Sequence, residues 1–330
     1  MLFFVCCLLA TVSSIDNKRR EPKQRPSSQL PQNRIKALKV NYPYTFFNAD
    51  SDDWRTPSPV YSEALAKSTK SYTRWSRAQD HEDIWLYENW FYGMTNGIII
   101  ESGALDGVKY STTFLFEYFA NWTPIHIGNF FASFIHYCSN VITEADPRNF
   151  FKLSRSRENG VSVNAALCSE TTLLHYTNDD GGQIQGFVEF MSPAFLRKWH
   201  PKIYKNITRL EDLATVQCVQ MKKLTRELNL RHADIWVLDV EGAELSVLRG
   251  TDFTSISIST IVMECDQTDA AKDAAKQAIL ESNGYECTQV ERNCFCKHES
   301  FQPSEAPPEQ RQYASFREKY APKEKMYDKR

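Results

Sequence analysis

Gly97-Ile98-Ile99-Ile100-Glu101-Ser102-Gly103-Ala104-Leu105-Asp106-Gly107 is the stretch on which the fold turns. Its isoleucine run reads as a short buried strand. An acid, two glycines and a second acid follow, and Ser111-Thr112-Thr113-Phe114-Leu115-Phe116-Glu117 opens as a helix. Strand, glycine turn and helix make the entry unit of a doubly wound sheet, whose ligands sit beyond the carboxyl ends of the strands. Glycine there lets backbone approach a ligand that any Cβ would hold off. The spacing is not the dinucleotide Gly-x-Gly-x-x-Gly pattern, and carboxylates partly take the place of a pyrophosphate-accepting glycine run. Carboxylates repel phosphate but accept hydrogen bonds from ribose hydroxyls or an amino group. That favours a cationic nucleoside such as S-adenosylmethionine over NAD.

Working outward, a second element of the same kind is Asp234-Ile235-Trp236-Val237-Leu238-Asp239-Val240-Glu241-Gly242-Ala243-Glu244-Leu245. An apolar strand ends in Asp239, and Glu241 and Glu244 follow within a tight turn into a helix that closes at Gly250. Three carboxylates at one strand end repel one another unless a cation, hydrogen-bond donors or a raised pKa relieves them. Such clusters are candidate sites. The structural alternative has Glu241 capping the next helix and Glu244 in solvent.

Between the two elements, Val141-Ile142-Thr143-Glu144 reads as the second strand, with Pro147 in the first turn of the next helix. Glu144 then stands where a ribose is bound in this architecture. The aromatic-rich segment 123–140 before it reads as an insert. Residues 161–167 read as strand three, Val216–Val219 as a short strand and 221–230 as a helix. Residues 171–215 are polar and turn-rich, placed where a substrate cover could be built. Residues 259–264 read as a further strand, 269–280 as a helix stopped by Asn283-Gly284, and 285–297 as a final strand pair. Upstream, Ile84, Tyr87 and Phe91 share one helical face, read as core packed beside the first strand.

The chain has 330 residues, 39 Lys and Arg against 41 Asp and Glu, and a formal charge of -2. This balance carries no nucleic-acid footprint. Residues 1–14 read as a signal peptide, an uncleaved membrane anchor being the alternative. Residues 15–70 read as a disordered basic arm and a loop-rich lead-in, 71–299 as the folded domain, and 300–330 as a disordered tail. Two sequons, at Asn121 and Asn206, agree with a secretory route. Seven cysteines remain after residue 14, an odd number, and Cys287 lies within hairpin reach of Cys294 or Cys296. His175, His200 and His232 fall outside the two sharp elements and read as structural or surface residues.

With both elements in hand, the chain resembles the FkbM-type family of S-adenosylmethionine-dependent methyltransferases from about Gln79 to Lys297. The resemblance is carried by Gln79…Glu82-Asp83, Glu101-Ser-Gly-Ala-Leu-Asp106-Gly107 with Ser111-Thr-Thr, Glu144-Ala-Asp-Pro147, Asn164-Ala-Ala, and Asp239-Val-Glu-Gly242-Ala-Glu244 with Leu248-Arg-Gly250. It implies a Rossmann-like α/β fold, a doubly wound seven-stranded mostly parallel sheet of the class I methyltransferase type. It implies S-adenosylmethionine as cofactor and O-methylation of a hydroxyl on a glycan or small metabolite, here in the secretory pathway. Carried over by position, Glu101, Gly103, Asp106 and Gly107 line the methionine end of the cofactor. Glu144 holds the ribose hydroxyls, and Asp239 with Glu241 faces the reacting centre. A metal is left unassigned. The family also includes Star-like secretory-pathway proteins that use the domain without an established methyl transfer, so a non-catalytic binding or trafficking domain is the second reading.

Overall fold

The computed structural model describes residues 36–38, 46–48, 59–68, 70–128, 153, 156–157, 161–177, 186–207, 210–265 and 269–320. In chain order their strands are β1 (Lys36–Leu38), β2 (Phe46–Asn48), β3 (Val60–Tyr61), β4 (Met94–Thr95), β5 (Ile98–Ser102), β6 (Thr123–Gly128) and β7 (Val161–Asn164). They continue with β8 (Ala166–Leu167), β9 (Thr172–Tyr176), β10 (Ala214–Val219), β11 (His232–Leu238), β12 (Ser257–Glu264), β13 (Tyr285–Val290) and β14 (Asn293–His298). The helices are α1 (Glu63–Ala66), α2 (Glu82–Asn89), α3 (Thr113–Ala120), α4 (Pro193–Trp199), α5 (Pro201–Lys205), α6 (Met221–Glu227), α7 (Glu244–Arg249), α8 (Ala270–Glu281) and α9 (Tyr313–Tyr320).

The main sheet runs β1-β2-β7-β6-β5-β11-β12-β14-β13. Strands β7, β6, β5, β11 and β12 are mutually parallel, and β14 is antiparallel to both of its neighbours. Without the β1–β2 hairpin on its edge, this is the class I methyltransferase sheet: three strands wound one way from β5, the rest the other way. The topological reversal therefore falls between β5 and β11, whose carboxyl ends face one crevice.

The isoleucine run is explained by its position. Ile98 and Ile100 face one core cluster with Trp236 and Leu238 of β11, while Ile99 faces the other with Ile235 and Val237. A strand covered on both faces has no polar side, so its sequence is continuously apolar. Helices α2 and α3 cover the second face through Ile84, Tyr87, Leu115 and Phe116, and Phe91 joins them. The aromatic stripe is core, as read.

The second strand departs from expectation. It is Thr123–Gly128, paired in parallel with β5 from Ile98↔Thr123 to Ser102↔Ile127. The chain leaves α3 through Asn121 in the left-handed region (φ 59°) and the Thr123 amide bonds the Gly97 carbonyl at 2.8 Å. Ile125 and Ile127 are buried. A two-residue apolar period between Pro124 and an aromatic run was hidden from the sequence reading, which gave residues 123–140 to an insert. Val141–Glu144, the segment expected to be this strand, lies outside the described residues. So do residues 1–35, including the expected signal peptide and most of the basic arm, and so does Cys138.

The segment after Ser300 also departs from expectation, since through Tyr320 it is described and packed. Ser304 exchanges hydrogen bonds with Trp90 and Tyr92 backbone, and Phe301 stacks near Phe91. Buried Glu88 accepts from the Tyr72 hydroxyl at 2.6 Å and from the amides of Gln312 and Tyr313 at 2.6 and 3.0 Å. One carboxylate of α2 thus opens α9 from a distance in sequence that no local pattern reports. Truncating it leaves those donors unpaired, each at a cost of about 1 kcal/mol or more. Glu88→Ala is expected to lower stability by roughly 3 kcal/mol and to open the chain after residue 300 to protease, read by limited proteolysis and a denaturation midpoint.

A second sheet has three strands in the order β8-β10-β9. A disulfide joins Cys168, just past β8, to Cys218 of β10. Cys287 and Cys296, register partners across the β13–β14 hairpin, form a second bridge, and Cys265–Cys294 a third. Among the described residues no helix is long and apolar enough to cross a membrane.

Candidate functional site

The carboxyl ends of β5 and β11 open into a cavity. Glu101, Ser102, Gly103, Ala104 and Tyr110 line one side, Ala165, Ala166 and Leu167 another, and Asp239 and Glu241 a third. Its cover is Tyr176, Gly186 and Phe187, from the β8–β10–β9 side. The polar stretch 171–215 thus contributes lining residues to the cavity.

The turn after β5 is held in an unusual backbone path. Gly103 (φ +92°), Leu105 (φ 45°), Gly107 (φ +78°) and Tyr110 (φ 62°) are all left-handed. Gly103 is required by a neighbour: a Cβ there would stand 1.7 Å from the Asp239 carbonyl oxygen. The two turns are also tied together by the Asp239 amide donating to the Ser102 carbonyl at 3.1 Å. Glycine, by removing its own Cβ, lets the β5 turn and the β11 turn meet as one wall.

Glu101 and Asp106 occupy structural positions. Glu101 is buried, and its two oxygens accept from Ser111 Oγ and Thr113 Oγ1, both at 2.8 Å, and from the amides of Thr112 and Thr113 at 2.6 and 3.4 Å. Those are all the acceptor sites a carboxylate has. It satisfies the orphan amides at the start of α3. Glu101 thus lines the cavity with its oxygens already engaged. Asp106 accepts from the amides of Val108 and Lys109 at 3.0 and 2.8 Å, an Asx turn outside the cavity wall. Gly107 is likewise outside it, its carbonyl accepting from Arg157. Arg157, which the sequence reading passed over, is fully buried. It pairs with Glu117 and bonds Ser111 Oγ at 2.9 Å and Thr113 Oγ1 at 2.8 Å. It locks the β5 turn from behind. Its signal was absent because it lies among other Arg and Ser residues, with no motif around it. Glu144, expected at the ribose, lies outside the described residues.

The β11 turn behaves differently. Glu241 (φ 53°) and Gly242 (φ +94°) are consecutive left-handed residues, and the strain falls on Glu241, a non-glycine residue in a region of the kind that clusters at functional sites. Buried Glu244 holds them: its Oε1 accepts from the Val240 and Gly242 amides, both at 3.1 Å. Glu241 does not cap α7, which has no side-chain cap, and Glu244 is buried rather than in solvent. Lys272 of α8 adds a clamp, donating to the carbonyls of Gly242 at 2.9 Å and Phe190 at 2.8 Å.

The carboxylates of Asp239 and Glu241 have no hydrogen-bond partner among the described residues, and both residues line the cavity. Asp239 is open to water there, yet dense protein surrounds it. Desolvation, then Glu244 nearby, pushes its pKa up to about 6; desolvation, then Asp239, pushes Glu241 up to about 9. Neighbouring acids whose pKa values are driven apart divide a proton donor from an acceptor at neutral pH. Among the described residues no group of three His, Cys, Asp or Glu stands as a metal set. His175 pairs with Glu189 and His232 with Asp234, and neither lines the cavity, nor does His200.

Beyond this wall lies a second, open cleft of about 1300 Å³. It shares Gln79, Asp239 and Glu241 with the first cavity and is bounded by Phe190, Phe195 and Trp199 on one side and by Lys272, Lys276 and Arg292 on the other. Two compartments thus meet at one pair of carboxylates.

The methyltransferase FkbM domain profile matches residues 101–287. Among solved structures, a precorrin-6y C5,15-methyltransferase from Geobacter metallireducens GS-15 aligns at 10% identity and TM-score 0.31, over 72% of this chain and 90% of that one. A fibrillarin/Nop5p complex aligns at 9% identity and TM-score 0.28, over 62% of this chain and 72% of that one. No curated protein matches the chain.

Proposed function

The chain belongs to the FkbM methyltransferase family, and we propose that it transfers the methyl group of S-adenosylmethionine to a hydroxyl of a glycan or small metabolite in the secretory pathway. The observation that carries this reading is the shared wall: two unbonded carboxylates standing between the cavity at the strand ends and an open cleft.

The residues of the first cavity fit such a cofactor. Ala165, Ala166, Leu167 and Ile127 offer an apolar surface for a flat base. The Gly103 turn, with no Cβ, exposes backbone to a polar tail, and the acids of the wall suit a cationic centre. Bound there, S-adenosylmethionine would supply an electrophilic methyl group on a sulfonium.

The protein's own part is positioning and proton removal. A hydroxyl entering from the cleft meets Asp239, which is ionised above about pH 6 and takes the hydroxyl proton as the oxygen becomes a nucleophile. Glu241, still protonated at neutral pH, donates a hydrogen bond and adds no second negative charge beside the reacting oxygen. Disulfides bridging all six cysteines of the described residues fit an oxidising compartment, which supports the secretory placement.

Calorimetric titration of the full chain with S-adenosylmethionine tests the donor site. Affinity on the order of micromolar, about 8 kcal/mol, is expected. Asp106→Ala should keep that affinity within a few-fold while losing about 1 kcal/mol of stability, because its bonds close a turn behind the cavity. A well-folded chain that does not bind the cofactor would favour the second reading, a binding domain that keeps the fold without methyl transfer.

A further inference from the structure

The rim of the open cleft carries a feature that neither the fold nor the methyl-donor site uses. Helices α4 and α5 form a short corner whose apolar side, Leu196 and Ile203, packs inward on Val188 and Met191. Its outer side presents Arg197, Lys198, Lys202 and Lys205, all exposed, with no carboxylate partner among the described residues. Arg197 lies over the Tyr204 ring at 5.3 Å and Lys198 over the Trp199 ring at 4.4 Å. Trp199 is itself 38% exposed, and with Lys198 and Phe195 it lines the cleft. Four cations gathered on one small corner repel one another, and a chain with formal charge -2 shows that this is local patterning rather than general basicity.

We infer that this corner is a docking surface for an acidic glycan, a sugar chain bearing carboxylate or sulfate groups, from which the acceptor hydroxyl reaches into the cleft. The inference rests on the methyltransferase reading and names its acceptor class. Charge complementarity selects a polyanion, and the aromatic ring at the cleft mouth gives a sugar ring a face to stack on. A bilayer suits the corner less well. An interfacial helix buries its apolar face in lipid, whereas the apolar face here is buried in the protein. The cleft floor adds a constraint on where the charge sits. Asp239 faces it beside the reacting centre and would repel an anionic group there, so the negative groups stay on the rim and a neutral hydroxyl reaches it. A chain of several sugars meets this requirement better than a single acidic sugar.

The test compares the full chain with Lys198→Glu/Lys202→Glu, both positions being exposed, by measuring affinity for heparin, for neutral dextran, and for vesicles of phosphatidylcholine and phosphatidylserine in equal parts. Expected are salt-sensitive heparin binding, none to dextran, and a loss of about tenfold or more in the double variant. The basic run Lys18-Arg19-Arg20 also attracts polyanions, so a variant with those three changed to Gln is measured alongside. Heparin affinity lost only in that variant, or binding to the vesicles without binding to heparin, overturns the proposal. S-adenosylmethionine titration of the same proteins separates the two readings. Unchanged cofactor binding with lost heparin binding supports the docking surface, whereas heparin binding without cofactor binding sinks the donor site and removes the premise that the bound glycan is an acceptor.

Discussion

Gly103→Ala is expected to cost about 4 kcal/mol or more of folding stability, enough to place it among the severe single substitutions. Two effects combine. The residue sits at φ +92°, where a Cβ is strained whatever the space around it. The added carbon would also stand 1.7 Å from a backbone oxygen, that of Asp239, which cannot swing aside as a side chain would. The β5 and β11 turns must then separate, breaking the hydrogen bond from the Asp239 amide to the Ser102 carbonyl. Gly107→Ala is the internal comparison. It is also left-handed (φ +78°), but its Cβ would meet side-chain atoms of Leu153 and Arg157 at 2.5 and 2.8 Å rather than a backbone oxygen at 1.7 Å. A urea midpoint should fall much further for Gly103→Ala, and any folded fraction should lose cofactor binding. Equal midpoints for the two variants would show that the turns do not depend on this contact.

The second large effect concerns rate. Asp239→Asn is expected to lower kcat by about 10² to 10⁴-fold with cofactor affinity little changed, because the amide keeps the shape and loses the base. The pH dependence follows from the signs of the two shifts. Asp239 must be ionised to accept a proton, so kcat/KM should fall about tenfold per unit below about pH 6. Glu241 must keep its proton, so the rate should fall again above about pH 9. Glu241→Gln fixes the neutral, donating form and is expected to remove the alkaline limb while leaving the acid limb in place. An unchanged alkaline limb in that variant would assign the upper ionisation to another group. These measurements follow methyl transfer to acceptor with isotopically labelled donor.

Lys272 connects the two results. It reaches from α8 to the carbonyls of Gly242 and Phe190, joining the strained turn that aims Glu241 to the segment that walls the cleft. The same clamp therefore sets the carboxylate and the acceptor side together, and the left-handed Glu241 is sustained by the bonds that Lys272 and Glu244 make around it rather than by its own preference.

The sequence by itself determined the fold class and the place of the site. Ile98 to Ile100 and Ile235 to Leu238 announce strands covered on both faces, and the glycine turns that follow them announce where a ligand sits, because these are local signals of burial period and backbone freedom. It also marked Asp239 and Glu241 as candidates, since acids clustered at a strand end are expensive without a purpose, and the fold places both on the cavity wall. Tertiary structure alone decided what each remaining acid does. Glu101, Asp106, Glu244 and Glu88 look alike in sequence. One closes α3, one closes a turn, one holds the β11 turn and one tethers the C-terminal helix. A carboxylate's role is set by which donors reach it, and those donors come from as far away as Tyr313 for Glu88. The choice of Thr123–Gly128 as second strand is of the same kind. A weak two-residue period becomes a strand only when β5 offers a parallel edge and the core offers room for Ile125 and Ile127.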